Sequence, residues 1–265
     1  MCKIIILQSS PKSPKARRKL MSAAWNYFAR TGESDGFGAA WISSTGLLSW
    51  AKSSSPSTST RMLPDFVEGF RGSLHCDLPG DGGWMLLHGR RATCGIDLDN
   101  THPMLDQGMA LIHNGVVKSD RFKNVTTTCD SELLLRAIDQ EGVTGLSEIM
   151  GYYAFGMLRK RRDGWHALIA RDDTAKLRVG RLPNGRTAWS TTDDGLSLAR
   201  ATPVGDAKAM TAVEFAPDGT YSVMRIPSKP ITVKRDDEID SLWGISSGRS
   251  PSRFGKHYNG YQTTH

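Results

Sequence analysis

Met1-Cys2-Lys3-Ile4-Ile5-Ile6-Leu7 sets a cysteine directly ahead of a short, β-branched apolar run. Lys3 to Leu7 is too short for a stable helix and reads as a buried strand. Such a strand would hold Cys2 inside a fold instead of at a frayed terminus. A small second residue favours removal of Met1, so the mature chain is expected to begin at Cys2, with a thiol and a free α-amine on one carbon. Cysteine is the strongest nucleophile among ordinary side chains, and an α-amine, with a usual pKa of about 8, accepts a proton near neutral pH. No separate histidine base is then required. Everything else in the chain bears on whether it supplies what such a nucleophile needs.

The chain has 265 residues, 38% of them apolar and 23% charged, with 27 glycines. This composition fits one large globular domain with many turns, richer in strands than in long helices. No apolar run approaches the ~20 residues of a membrane span, and Ile4 to Leu7 is too short for a signal-peptide core, so a cytoplasmic protein is expected. Cys2, Cys76, Cys94 and Cys129 show no Cys-x-x-Cys spacing and read as free thiols. No metal site and no cofactor are expected. Asn124-Val125-Thr126 matches a glycosylation pattern that a chain retained in the cytoplasm would not use.

The net charge of +7 is concentrated at the start. Lys3, Lys12, Lys15, Arg17, Arg18, Lys19 and Arg30 occur in the first thirty residues without one acid, so the remainder is balanced. This basic segment could meet nucleic acid or an acidic partner. The ordinary reading of such a block is a solvated face.

Along the chain, Leu20, Met21, Ala24, Trp25 and Phe28 recur at helical spacing and predict an amphipathic helix from about Lys15 to Arg30. Phe37 to Ser43 and Gly46 to Lys52 read as a hairpin, followed by a Ser, Thr and Pro-rich loop and a short helix from Pro64 to Phe70. Strands are expected at Trp84 to Arg91 and at Met109 to His113, the second ending at Asn114-Gly115. Asp130 to Gln140 reads as a helix with Asp130 as its N-cap, and a second short helix runs from Gly145 to Met150. Further strands are expected at Tyr152 to Lys160, Trp165 to Arg171, Leu177 to Leu182, Thr187 to Ser190, Met210 to Phe215 and Tyr221 to Ile226, with a helical turn near Leu196 to Arg200. That order predicts an α+β fold with two packed antiparallel sheets covered by helices. From residue 227 to 265 apolar content falls, and a basic, weakly ordered tail is expected.

Five islands carry the chemistry. They are Cys2; Asp35-Gly36-Phe37-Gly38; His88-Gly89-Arg90-Arg91-Ala92-Thr93-Cys94-Gly95; Asn100-Thr101-His102-Pro103; and His113-Asn114-Gly115 with Asp130-Ser131-Glu132 downstream. An arginine grips a carboxylate through two parallel hydrogen bonds, which suits an amino-acid substrate. Each island also has a plainer reading. Asn-Gly between apolar residues is a hairpin-turn signal, Asp130 serves as a helix cap, and an arginine on a strand is often a surface charge.

In their order, these islands resemble the class II glutamine amidotransferase domain, an N-terminal nucleophile hydrolase, and in particular its stand-alone glutaminase and γ-glutamyl hydrolase branch. The resemblance covers residues 2 to about 172. It implies a four-layer αββα sandwich, with the domain spanning residues 2–226, and hydrolysis of the γ-amide of glutamine or of a larger γ-glutamyl amide. By that resemblance Cys2 is the nucleophile, and Asn114 with the Gly115 N–H forms the oxyanion hole. Arg90 and Thr93 hold the substrate carboxylate region, Asp130 pairs with its ammonium, and His102 lies at the pocket rim. Arg91 and Cys94 depart from the Trp and His common in the family, which implies a changed rim. Too little chain follows residue 230 for a synthase, so ammonia would pass to a separate synthase or simply be released. A different class of reading is a non-catalytic module that binds through its basic segment.

Overall fold

The computed structural model describes residues 2–9, 13–42, 46–54, 83–93, 95–122 and 129–227. The chain divides into a unit of residues Met1–Ser228 and a second, Lys229–His265. The helix expected at Pro64 to Phe70, most of the Ser and Thr-rich loop, Cys76, Cys94, the Asn124 tripeptide and nearly all of the C-terminal tail lie outside the described residues.

Strand β1 (Lys3–Leu7) leads to helix α1 (Pro14–Arg30), then β2 (Gly36–Ile42), β3 (Leu48–Ser53), β4 (Met85–Arg90), β5 (Met104–Asp106) and β6 (Met109–Lys118). Helix α2 (Ser131–Glu141) runs into a 3-10 segment (Gly142–Glu148). There follow β7 (Met150–Arg161), β8 (Gly164–Arg171), β9 (Arg178–Arg181), β10 (Thr187–Ser190), α3 (Asp193–Leu198), β11 (Thr202–Asp206), β12 (Thr211–Phe215) and β13 (Tyr221–Arg225). Among the described residues, seven strands form sheet A in the order β11-β9-β10-β1-β4-β2-β3, and six form sheet B in the order β13-β12-β8-β7-β6-β5. Every pairing is antiparallel.

Period-2 alternation sorts the side chains into three cores. Ile4 and Ile6 of β1, Leu86 of β4, Ala110 and Ile112 of β6, and Ala167 and Ile169 of β8 meet between the sheets. Ile5, Phe37, Ala39 and Leu87 face the opposite way and pack under Met21, Ala24, Trp25 and Phe28 of α1. On the far side of sheet B, Leu111, Phe155 and Leu168 pack under Leu134, Leu135 and Ile138 of α2. The layers are therefore helix, sheet, sheet, helix. Ser13 caps α1 by accepting the Ala16 N–H at 3.1 Å, with Pro14 as the first helical residue.

Several local expectations are corrected. Asn114-Gly115 is not a turn, because β6 runs on to Lys118 and pairs with β7 throughout, Asn114 opposite Ala154 and Gly115 opposite Tyr153. Asp130 stands at the N-cap position but makes no cap hydrogen bond; its Oδ2 accepts the Val117 N–H at 2.7 Å instead. The segment expected as a helix at Gly145 to Met150 is the 3-10 run that begins at Gly142. The short strands β5 and β11 had no clear signal in the sequence.

Close packing between β2 and the loop before β5 depends on Gly38, where a Cβ would lie 1.8 Å from the His102 carbonyl oxygen. Backbone cannot yield there as a flexible side chain would. Gly38→Ala should therefore destabilise by about 2–3 kcal/mol through overpacking. Gly32→Ala, where no atom lies within 4 Å but φ is +91°, should cost only the backbone strain of about 1–2 kcal/mol. Urea unfolding of both variants checks this, and equal losses would mean that the loop does not rest on β2.

Candidate active site

Cys2 precedes β1 by one residue and shares the alternation of Ile4 and Ile6, so it belongs to the face turned toward sheet B. The pair Lys3 and Gly89 joins β1 to β4, which sets Cys2 beside the end of β4. There the Cys2 thiol donates to the Arg91 carbonyl at 3.6 Å. The start of β1 is pinned by an ion pair of Lys3 Nζ with the buried Glu33 at 2.9 Å and by the Ile4 N–H on Thr191 Oγ1 at 3.2 Å. Although Cys2 is partly accessible as a residue, burial of its sulfur pushes the thiol up to about 11, against the lowering effects of the Arg91 carbonyl contact, the positive chain terminus and Arg90; Asp130 adds to the rise. Arg90 and Asp130 are thus both close enough to Cys2 to act on its thiol.

Arg90 is 2% exposed, and its Nη2 donates to the Gly95 carbonyl at 2.7 Å, drawing the loop after β4 over the guanidinium. Asp35 shapes the same corner: its N–H donates to the Arg90 carbonyl at 3.0 Å, and its Oδ2 accepts the Ala92 N–H at 2.8 Å. Thr93 is exposed on that loop.

Asn114 shares the alternation of Ala110 and Ile112 and so enters from the opposing sheet. It is 6% exposed, and its Oδ1 meets no hydrogen-bond partner. A buried amide end left unpaired costs about 1–3 kcal/mol, which is why such groups tend to sit where something else is bound. Gly115 has φ +150°, and a Cβ there would lie 2.0 Å from the Tyr152 carbonyl oxygen, so only glycine fits.

His102 was expected at the pocket rim. It is buried, and its Nε2 is 2.8 Å from Ser131 Oγ. The same hydroxyl is 2.8 Å from His113 Nδ1, while His88 Nε2 is 3.0 Å from the His113 carbonyl. Burial lowers all three imidazoles and keeps them neutral, His88 to about 3. Lys52 of β3 also stands near; burial lowers its ammonium, against the raising effect of Asp99, Cys129 and Asp97.

The sequence assigns no role to His88, His113, Ser131, Asp35 or Lys52. The first four lie in the quoted islands, but nothing local marks their partners. Lys52 carried no signal at all. Among the described residues no three His, Cys, Asp or Glu side chains are grouped to hold a metal ion, and no helix is long and apolar enough to cross a membrane. A cleft of about 480 Å³ lined by Arg181, Leu182, Arg200 and Val204 opens at the opposite end of sheet A from Cys2 and shares none of these groups.

Comparison with protein-family profiles finds no match, and neither does comparison with curated proteins. Solved structures do match. A glutamine phosphoribosylpyrophosphate amidotransferase from B. subtilis, complexed with ADP and GMP, aligns with 86% of this chain at a TM-score of 0.63 and 16% identity. The structure described as the allosteric regulatory enzyme of purine biosynthesis aligns with 86% at 0.65 and 17%. In both, the chain spans about half of the other's length, 50% in each case. A glutamine aminotransferase class-II domain protein from Silicibacter pomeroyi aligns at 0.47 and 14% identity over 85% of this chain and 100% of its own, too distant to carry weight. At these identities the likeness defines the fold. The chain shares the four-layer αββα sandwich fold of the first two of these structures.

The buried imidazoles generate a prediction. A histidine whose folded pKa is depressed takes up a proton in the unfolded chain first, so stability falls as pH drops below about 6.5, by up to about 1.4 kcal/mol per pH unit for each such ring. Asp172, whose carboxyl burial holds above its usual range, acts in the opposite direction. The comparison is therefore between wild type and His102→Gln: the variant should show a shallower loss of urea stability from pH 7 to 5.5. Parallel slopes would mean that His102 is protonated in the folded protein.

Proposed function

We propose that the chain hydrolyses the γ-amide of glutamine to glutamate and ammonia through a thioester on Cys2. The observation that supports this best is that Cys2 sits beside the end of β4, within electrostatic reach of Arg90 and Asp130, while Asn114 and Gly115 lie on the facing sheet. A thiol held near 11 is protonated at neutral pH and needs a base. In a chain that begins at Cys2, the α-amine takes the thiol proton. The thiolate adds to the γ-carbonyl, and the oxyanion is held by the Asn114 side-chain amide and the Gly115 N–H. The amine then returns its proton to the leaving nitrogen, the C–N bond breaks, and ammonia departs. Water adds to the thioester by the same route, releasing glutamate and restoring the thiol.

Asp130 offers its carboxylate to the substrate ammonium, and Thr93 offers a hydroxyl from the loop. Arg90 supplies positive charge for the α-carboxylate; a two-pronged grip through Nη2 exchanges its bond to Gly95. His102 acts from beneath the site and not as a rim contact. In this reading the protein works in the cytoplasm without cofactor, and the ammonia it releases is available to an acceptor enzyme. A second substrate, a larger γ-glutamyl amide, is favoured by the exposed loop after β4, where Ile96 and Leu98 are 57% and 47% exposed and could meet a group beyond the amide nitrogen.

The test is release of glutamate and ammonia from glutamine, and of aniline from a γ-glutamyl anilide, by protein whose intact mass shows Met1 removed. Cys2→Ala should abolish both. Asn114→Ala should lower kcat by about 100-fold, as for loss of one oxyanion donor, with little change in melting temperature. Equal kcat would take Asn114 out of the site. A correctly processed protein inert on both substrates would leave the binding-module reading.

A further inference from the structure

Four buried residues, His88, His113, Ser131 and His102, form a closed circuit of contacts near the end of β4. His88 stands directly opposite Ile4 in the β1–β4 pairing, two residues from Cys2. Its Nε2 lies 3.0 Å from the carbonyl of His113, the residue that precedes Asn114. A carbonyl only accepts, so Nε2 of His88 bears the hydrogen, and the bond crosses from sheet A to sheet B. The His113 ring is held in turn by Ser131, the first residue of α2, whose hydroxyl also meets His102. A hydroxyl has one hydrogen, so Ser131 donates to one imidazole and accepts from the other. The His102 ring then returns to His88, with centroids 4.1 Å apart. All four residues are at most 3% exposed.

The apolar contacts between the sheets are not directional and tolerate sliding. A hydrogen bond does not. β1 is locked to β4, and His113 is covalently joined to Asn114, so the His88 bond ties the strand bearing the nucleophile to the strand bearing the oxyanion donors. We propose that His88 is a positioning residue, backed by Ser131, whose bond to the His113 carbonyl sets the spacing between the Cys2 thiol and Asn114 with Gly115. This rests on the amidohydrolase reading, since it gives that spacing a catalytic meaning.

The test compares His88→Gln with His88→Asn in processed protein. A Gln side-chain amide reaches about as far as imidazole Nε2, whereas the Asn amide falls short. Both variants lose the ring contact with His102 and should lose similar melting temperature. His88→Gln should keep kcat on glutamine within about 3-fold, while His88→Asn should lose about 100-fold at nearly constant KM, the scale of an ångström-sized misplacement. A purely structural role would move both alike, so equal kcat in the two variants overturns the inference. Should His88→Asn fail to fold, Ser131→Ala supplies the second arm: an approximately 10-fold fall in kcat at constant KM is expected, and unchanged kcat overturns the inference. If wild type turns over neither glutamine nor the anilide, the amidohydrolase reading fails by itself. The spacing claim is then read from deuterium exchange across residues 112–116, which should be faster in His88→Asn, or in Ser131→Ala, than in His88→Gln; no difference overturns it.

Discussion

The structure depends on the apolar contact between its two sheets. Ile4, Ile6, Leu86, Ala110, Ile112, Leu158 and Ile169 exclude water along that contact, and each large aliphatic side chain so buried contributes about 1.5–3 kcal/mol. Gly156 lets the sheets close up, since a Cβ there would lie 2.6 Å from Ile6 Cδ1. The same faces turn polar at one end, where Cys2, His88 and Arg90 follow the inward alternation of sheet A and Asn114 that of sheet B. A slip of one residue in any of these strands would send every aliphatic side chain to the wrong face. The apolar run therefore holds the polar residues in an interior that they would otherwise leave.

Holding polar groups there has electrostatic consequences. Three imidazoles stay neutral and bond to a hydroxyl and a carbonyl, because a buried charge on any of them would be far more costly than a buried dipole. Arg90 spends one donor on the Gly95 carbonyl. The thiol, surrounded by protein, holds its proton more firmly than a free cysteine. A thiol in such a place gains directed neighbours and loses spontaneous ionisation. Around it, Glu33 holds Lys3 and Asp35 holds Ala92, so the two backbone segments that flank Cys2 are both fixed by carboxylates.

Much of this was legible in the residues. Ile4 to Leu7, the helical spacing of Leu20 to Phe28 and the paired runs around Phe37 and Trp50 are local patterns, and they appear as β1, α1 and the β2–β3 pair. Asn114-Gly115 misled because its dipeptide is a turn signal in isolation, while here ten consecutive pairs between β6 and β7 carry the strand through it. Asp130 misled for a similar reason: its carboxylate has a local use at a helix start and a distant one at the Val117 N–H, and the distant one prevails. Thr202 to Asp206, with its Pro and Gly, looks like loop and becomes an edge strand only because β9 offers it a partner.

The amino-acid order alone settles which residues alternate, which stretches twist into helix, and that Cys2 heads a buried strand, because those properties depend on neighbours within a few positions. It also places Cys2, Arg90, Asn114 and Asp130 on separate segments without saying how they face. Tertiary structure decided the rest: that Arg90 is covered by its own loop, that His102 is buried, and that Ser131 joins two imidazoles 29 and 18 residues away along the chain. Those contacts form only after the two sheets have closed on each other. Their energies belong to pairs that no short window of sequence contains.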